Sequence, residues 1–202
     1  MGKLLNAVRN KDGLKIIYIV TRIIVFTFWG IFALIFTVRC AERYYVYPLG
    51  YKEEVTEFSA EAGIDPLVVF SIIKIESGFD KDETSRVGAV GLMQIMPETG
   101  TFVAETIEMK ELNLSEPKDN VRIGCHYIRY LTERFTDLNT VVCAYNAGEG
   151  NVRKWLADKN YSEDGQTLIR IPFGETERYL DKFIKTFSNY KKLYGNLLDK
   201  KF

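Results

Sequence analysis

The apolar residues of this chain form one unbroken block near the start and helix-spaced stripes thereafter. From Ile16 to Val38 the sequence is apolar apart from Arg22 and scattered threonines. Those 23 residues would make a helix of roughly 35 Å, enough to cross a bilayer. Lys3, Arg9, Lys11 and Lys15 lie ahead of the block, which predicts a cytoplasmic N-terminus and an outer remainder. Arg22, near one end, can reach the interface by snorkelling. The apolar core is longer than that of a cleaved signal, and Val38-Arg39-Cys40-Ala41 is a poor cleavage site. Arg39 before Cys40 also argues against a lipoprotein signal. The expected division is a basic tail at 1–15, an uncleaved anchor at 16–38, a stalk at 39–50 and one domain at 51–202. Tyr44-Tyr45-Val46-Tyr47-Pro48 suits the membrane–water interface.

Beyond the stalk the pattern is helical throughout. Helices are predicted over Tyr51–Ala62 with a stop at Gly63, Pro66–Ser77, Pro97–Glu108, Asp119–Phe135, Leu138–Asn146, Glu149–Ala157 and Phe173–Leu198. Asp119–Phe135 carries its stripe at Val121, Ile123, Cys125, Ile128 and Leu131. No alternating strand pattern runs beyond a few residues, and no Asn-Gly hairpin turn occurs. The fold class expected is all-α, with a core from about 150 residues.

Charge and cysteine content narrow the functions. Lysine plus arginine and aspartate plus glutamate each number 27, and residues 40–202 hold 21 basic against 26 acidic side chains. A mildly acidic domain gives no reason to expect a nucleic-acid partner. Cys40 sits beside the anchor, while Cys125 and Cys143 fall on apolar helix faces. They read as buried thiols or as a Cys125–Cys143 disulfide. His126, the one histidine, adjoins Cys125 and so points off another face of the same helix. No metal-ligand spacing, P-loop or G-x-G-x-x-G is present, so no metal or cofactor is expected.

Glu76 carries the chemistry. It ends the apolar run Pro66-Leu67-Val68-Val69-Phe70-Ser71-Ile72-Ile73-Lys74-Ile75, which opens with Asp65 as N-cap and Pro66 at the first helical position. The C-terminal end of a buried helix disfavours a carboxylate through the dipole and through lost hydration. Both raise its pKa, as a general acid near neutral pH requires. Three further segments follow. Gly88-Ala89-Val90-Gly91-Leu92-Met93-Gln94 has two glycines and a flexible apolar and amide pair. Ala144-Tyr145-Asn146-Ala147-Gly148 closes a helix with a hydroxyl and an amide. Glu175-Thr176-Glu177-Arg178-Tyr179 opens the last helix.

The Glu76-Ser77 pair and these three segments, in this order, resemble the soluble-lytic-transglycosylase family of peptidoglycan-cleaving enzymes. The likeness covers about 55–195. It departs in small ways: Asp80-Lys81 stands where many members have Asn-Pro, and the large helical ring of the biggest members is absent. The resemblance implies a lysozyme-like helical fold and a single catalytic acid and base, Glu76. That residue would protonate the bond between N-acetylmuramic acid and N-acetylglucosamine, then deprotonate the muramoyl C6 hydroxyl to close a 1,6-anhydro ring. Ser85 and Tyr145 would orient the glutamate or the N-acetyl group. Gly91, Met93, Gln94 and Asn146 would line sugar subsites, and Tyr179 would reach the cleft. Glycoside hydrolysis ordinarily uses two carboxylates. Asp80, Asp82 and Glu83 read as turn or solvated residues, and Glu175 as structural. Glu149 and Glu175 read as solvated or paired with Arg153 and Arg178. The partners implied are glycan strands and, through the N-terminal helix, the membrane. Two other readings stay open here: a goose-type lysozyme-like hydrolase, and a catalytically silent wall-binding module.

Overall fold

The structure, a computed structural model, describes residues 11–198. Lys3 and Arg9 of the expected tail lie outside those residues. The chain divides into two units, Met1–Pro48 and Leu49–Phe202.

The described part of the first unit is one helix, α1 (Lys11–Ala41), ending in a π-turn over Glu42–Val46. Its side chains from Leu14 to Val38 are exposed. Long and apolar enough to cross a membrane, it contains the 16–38 block with a few residues to spare at each end. The threonines inside the block are satisfied locally. Thr21, Thr27 and Thr37 donate to the carbonyls of Ile17, Ile24 and Ala33, which leaves no hydroxyl unpaired in an apolar medium. Arg22 donates to the Tyr18 hydroxyl at 3.3 Å and lies over the Tyr18 and Phe26 rings.

The second unit is all helical: α2 (Lys52–Ala62), α3 (Pro66–Glu76), α4 (Pro97–Thr106), α5 (Pro117–Thr132), α6 (Leu138–Ala147), α7 (Glu149–Ala157) and α8 (Gly174–Leu198). Its described residues include no strand, only isolated bridges joining Thr84 to Val90 and Val90 to Ile95. α3 is the centre. Pro66 through Ile73 are all buried, so the helix is wrapped on all sides, with α2 and α8 packed along it. Phe70 stacks on Tyr190 of α8 with centroids 5.9 Å apart. Burial of that many large apolar side chains stabilises the site's scaffold by about 1.5–3 kcal/mol per residue.

Helix ends fall where the local chemistry puts them. The Asp65 carboxylate accepts from the Leu67 amide at 2.8 Å, capping α3, and Asp137 does the same for Thr140 of α6 at 2.9 Å. Two helices, α4 and α5, have bounds that differ from the sequence reading by more than one residue. α4 stops at Thr106 because Glu108 adopts φ 54° and the Met109 amide folds back on the Ala104 carbonyl. α5 starts at Pro117, whose missing N–H suits the first turn. It stops at Thr132, where the Arg134 and Phe135 amides both turn onto the Leu131 carbonyl.

Candidate active site

Glu76 is the last residue of α3, where the helix runs out of the core. The Ser77 and Gly78 amides both return to the Ile73 carbonyl at 3.1 Å, and Gly78 turns left-handed at φ 61°. The Ser77 hydroxyl donates to the Leu92 carbonyl at 2.9 Å and tethers the helix end to the 84–95 loop. Half-buried, the Glu76 carboxylate accepts a 2.6 Å hydrogen bond from the Tyr179 hydroxyl of α8. Burial raises its pKa to about 7, only partly opposed by the Tyr179 bond, and no neighbouring charge contributes to that shift. The acid is therefore half protonated near neutrality.

Two tyrosines surround this carboxyl. Burial, followed by the charge of Glu76, holds both Tyr145 and Tyr179 well above the ordinary phenol value. Both stay protonated donors over any working pH. Tyr145, on α6, gives its hydrogen to the Met93 carbonyl at 2.7 Å, so it acts on the loop and on the field around Glu76 rather than on the carboxylate directly.

The loop residues take parts different from those expected. Met93 has no exposed surface; its side chain fills the space left by Gly124, where a Cβ would overlap the thioether. Its contribution to the site is the carbonyl. Gly91 is also buried, at φ 75°, and a Cβ there would stand 2.5 Å from the Asn120 amide nitrogen. The space it opens is taken by Asn120. Gln94 sits in the left-handed region at φ 48° and donates its side-chain amide to the Glu83 and Gly91 carbonyls at 3.1 and 2.9 Å. Its amide nitrogen is thus spent on the loop. Ser85 accepts from the Ala89 amide at 2.9 Å and pins the loop's turn.

The Asn146 side chain, half-buried, makes no hydrogen bond among the described residues. It lines a groove of about 420 Å3 with Ala147, Phe173, Gly174, Glu175 and Thr176. A larger hollow of about 530 Å3 beside Arg134, Arg153 and Leu156 shares no residue with the constellation around Glu76. Asp80, Asp82 and Glu83 are exposed, and Asp82 pairs with Lys81 at 2.7 Å. Glu175 is exposed and forms no ion pair with Arg178. Glu149 does pair with Arg153, at 2.6 Å. Cys125 and Cys143 are free and buried, and burial pushes both thiols up, Cys143 to about 12.

One residue that builds the site is not marked by any motif. Asn120, fully buried at the start of α5, accepts from the Met93 amide and donates to the Val90 and Leu114 carbonyls, all at 2.8 Å. It holds the loop against the helices. Its one signal in the sequence is an amide side chain beside the buried stripe that begins at Val121, a position where a polar group must find partners.

Known proteins resemble this chain in sequence and in fold. Residues 54–168 match the family model described as transglycosylase SLT domain. A soluble lytic murein transglycosylase of Salmonella typhimurium is 32% identical over 155 residues, spanning 74% of this chain and 24% of the relative. A membrane-bound lytic murein transglycosylase C of Edwardsiella ictaluri is 30% identical over 168 residues, 71% of this chain and 47% of the relative. The crystal structure of the 70 kDa soluble lytic transglycosylase of Escherichia coli superposes with a TM-score of 0.65 at 28% identity, over 74% of this chain and 25% of that one. Another structure of a 70 kDa soluble lytic transglycosylase, in complex with bulgecin A, superposes at 0.66. The chain thus spans about a quarter of the length of the soluble relatives and just under half of the membrane-bound one.

Proposed function

The chain belongs to the transglycosylase SLT domain family, and on that premise we propose that it is a membrane-anchored lytic transglycosylase of peptidoglycan. It cleaves the β-1,4 bond between N-acetylmuramic acid and N-acetylglucosamine without water, leaving a 1,6-anhydro end. The observation that carries this reading is a half-buried Glu76, pKa raised to about 7, held by Tyr179 with no second carboxylate acting on it.

Protonated Glu76 gives its proton to the glycosidic oxygen as the bond to the muramoyl C1 breaks. The substrate's own N-acetyl group stabilises the positive charge at C1. The carboxylate left behind then takes the proton from the muramoyl C6 hydroxyl as that oxygen attacks C1. The internal hydroxyl replaces water, and because it is already placed beside C1 the one carboxylate serves first as acid and then as base, with no second carboxylate. A pKa near 7 suits both halves of the cycle, since acid and base forms are both accessible. Tyr179 orients the carboxyl. Tyr145, through the Met93 carbonyl, fixes the loop that faces it. Asn146, with a free amide on the groove, is the best-placed side chain to hold the acetamido group. Ser85 and Gln94 support the loop at its turn and its end.

The anchor and topology belong to the same proposal. α1 spans the membrane with its basic flank inside, and the domain works on strands next to the outer surface. Mass spectrometry of muropeptides released by the full chain in detergent tests the chemistry: anhydro ends, lighter by one water than reducing ends, are expected. Reducing ends would instead identify a hydrolytic muramidase. Protease added outside wall-stripped cells is expected to digest the domain, and a protected domain would reverse the topology.

A further inference from the structure

The backbone leaves its ordinary range directly after Glu76. Gly78 turns left-handed at φ 61° and Phe79 follows at φ 75°. Glycine takes up that region freely, but a phenylalanine there is strained and stays only where its surroundings hold it. Phe79 is held through its amide and its ring. The amide donates to the Ser77 hydroxyl at 3.2 Å, and that hydroxyl donates to the Leu92 carbonyl at 2.9 Å. The half-buried ring lies 6.5 Å from that of Phe70, centroid to centroid, and it also covers Gly50: a Cβ there would stand 2.9 Å from Phe79 Cδ1. Gly50 lies outside the left-handed region, so space rather than backbone conformation calls for glycine. Tyr51, the next residue, is left-handed at φ 54° and accepts from the Val55 amide at 3.0 Å as α2 begins. Gly50 and Tyr51 belong to the second unit, yet they precede residue 54, where the match to the family model begins.

We propose that Phe79 is a positioning residue for Glu76, and that Gly50, ahead of the matched segment, is the seat that keeps its ring in place. The inference rests on the reading of Glu76 as the single acid and base. Phe79 has no group that can move a proton; it acts through the turn. Only Ser77 and Gly78 separate it from Glu76, so its strained φ fixes where the chain leaves α3. A Phe79 that relaxed to negative φ would withdraw its amide from Ser77 and lift its ring from Gly50. The tether from Ser77 to Leu92 would then carry the helix end alone, and Leu92 adjoins Met93, whose carbonyl holds Tyr145. The Glu76 carboxyl, set at the start of that turn, would move out toward water and away from the Tyr179 hydroxyl. The segment that enters the domain is thus part of what places the acid.

The test uses the full chain in detergent, acting on uncrosslinked glycan strands. Gly50→Ala adds one methyl against the Phe79 ring. It is expected to lower kcat by between about ten- and a hundredfold, the scale of a misplacement of about 1 Å, with KM within about twofold of the parent. Burial is the larger influence on the Glu76 pKa, so the alkaline limb of the kcat/KM profile should move to lower pH, the direction that loss of burial gives. Phe79→Leu, which removes the ring, should do the same. Gly50→Ala added to it should lower kcat by no more than about a further twofold, because the two changes act on one contact. Phe79→Leu also carries the test if Gly50→Ala does not fold. Parent kcat and an unmoved limb in either folded variant, or losses that simply multiply in the double variant, overturn the positioning role while Glu76→Gln stays inactive. A Glu76→Gln that still cleaves would instead overturn the reading on which it rests.

Discussion

Glu76 and Glu149 are the same side chain in nearly the same first company, and they end up as opposite chemical species. Each accepts a hydrogen bond from a tyrosine hydroxyl, Tyr179 at 2.6 Å and Tyr130 at 2.8 Å. Each stands at a helix end. Glu76 closes α3, at the negative end of the dipole, and has no cation beside it. Glu149 opens α7, at the positive end, with Arg153 at 2.6 Å and Arg134 at 3.5 Å. Burial pulls both upward. At Glu149 the Tyr130 bond and the two arginines outweigh it and the net shift is downward. At Glu76 burial prevails and the acid rises to about 7. What makes a proton donor here is therefore deeper burial with no countercharge to offset it, since the tyrosine is common to both.

The largest effect should come from removing the unpaired acid. Glu76→Gln is expected to lower peptidoglycan cleavage by on the order of 10²–10⁴ or more, because one group serves as both acid and base. The measurement is release of soluble muropeptides by a variant whose circular dichroism matches the parent. Near-normal turnover would show that another residue carries the proton.

The same variant should gain stability in a defined pH window. Glu76 binds its proton more tightly folded than unfolded, so above the unfolded value of 4.5 the folded state bears the cost of ionising it. That cost grows between pH 4.5 and about 7 and then levels off. A shift of this size corresponds to about 3 kcal/mol. Urea unfolding should find Glu76→Gln more stable than the parent at pH 8, by up to that amount, and no more stable at pH 4. A gain that is equal at both values would refute the buried-acid account.

Much of this contrast is legible in the sequence. The apolar run ending in Glu76 and the N-cap at Asp65 are local signals, and helix C-termini carry a known field. The helical identity of all seven domain segments follows from spacing alone. The interior of the 84–95 loop is not legible in the same way. A Gly-Leu-Met-Gln run looks like an open loop, so Met93 and Gly91 read as ligand contacts. Their burial depends on Asn120 and Gly124, some thirty residues away, and no periodicity links a loop glycine to a distant helix. The same holds for the Tyr179 bond to Glu76, which spans 103 positions.

Tyr179→Phe probes the one hydrogen-bond partner that the Glu76 side chain has among the described residues. The ring is buried, so phenylalanine keeps the packing and deletes only the donor. The hydroxyl favours the carboxylate, so its loss should raise the Glu76 pKa further. The alkaline limb of the kcat/KM profile, set by loss of the protonated acid, should move to higher pH. Activity at neutral pH should fall about tenfold, the scale of one hydrogen bond to a charged group. A fall in activity with an unmoved limb would mean that Tyr179 serves only the packing.

The smallest effect belongs to Glu149→Gln, and its pH slope should run the other way. Glu149 is held below its usual value, so its contribution is present above the unfolded value of 4.5 and lost as pH falls through the lower folded one. The Arg153 side chain is 55% exposed, so solvent and salt screen the pair, and the expected cost is under about 1 kcal/mol. Cleavage of short fragments should be unchanged, because Glu149 touches neither Glu76 nor the groove at Asn146. Urea unfolding at pH 7 in low and high salt measures the cost. A loss of several kcal/mol, or one insensitive to salt, would make this cluster part of the structural core and erase the difference between the two glutamates. A small, salt-sensitive loss that vanishes at pH 3, set against the opposite trend for Glu76→Gln, would establish that burial without countercharge makes an acid at one helix end and countercharge a fixed anion at another.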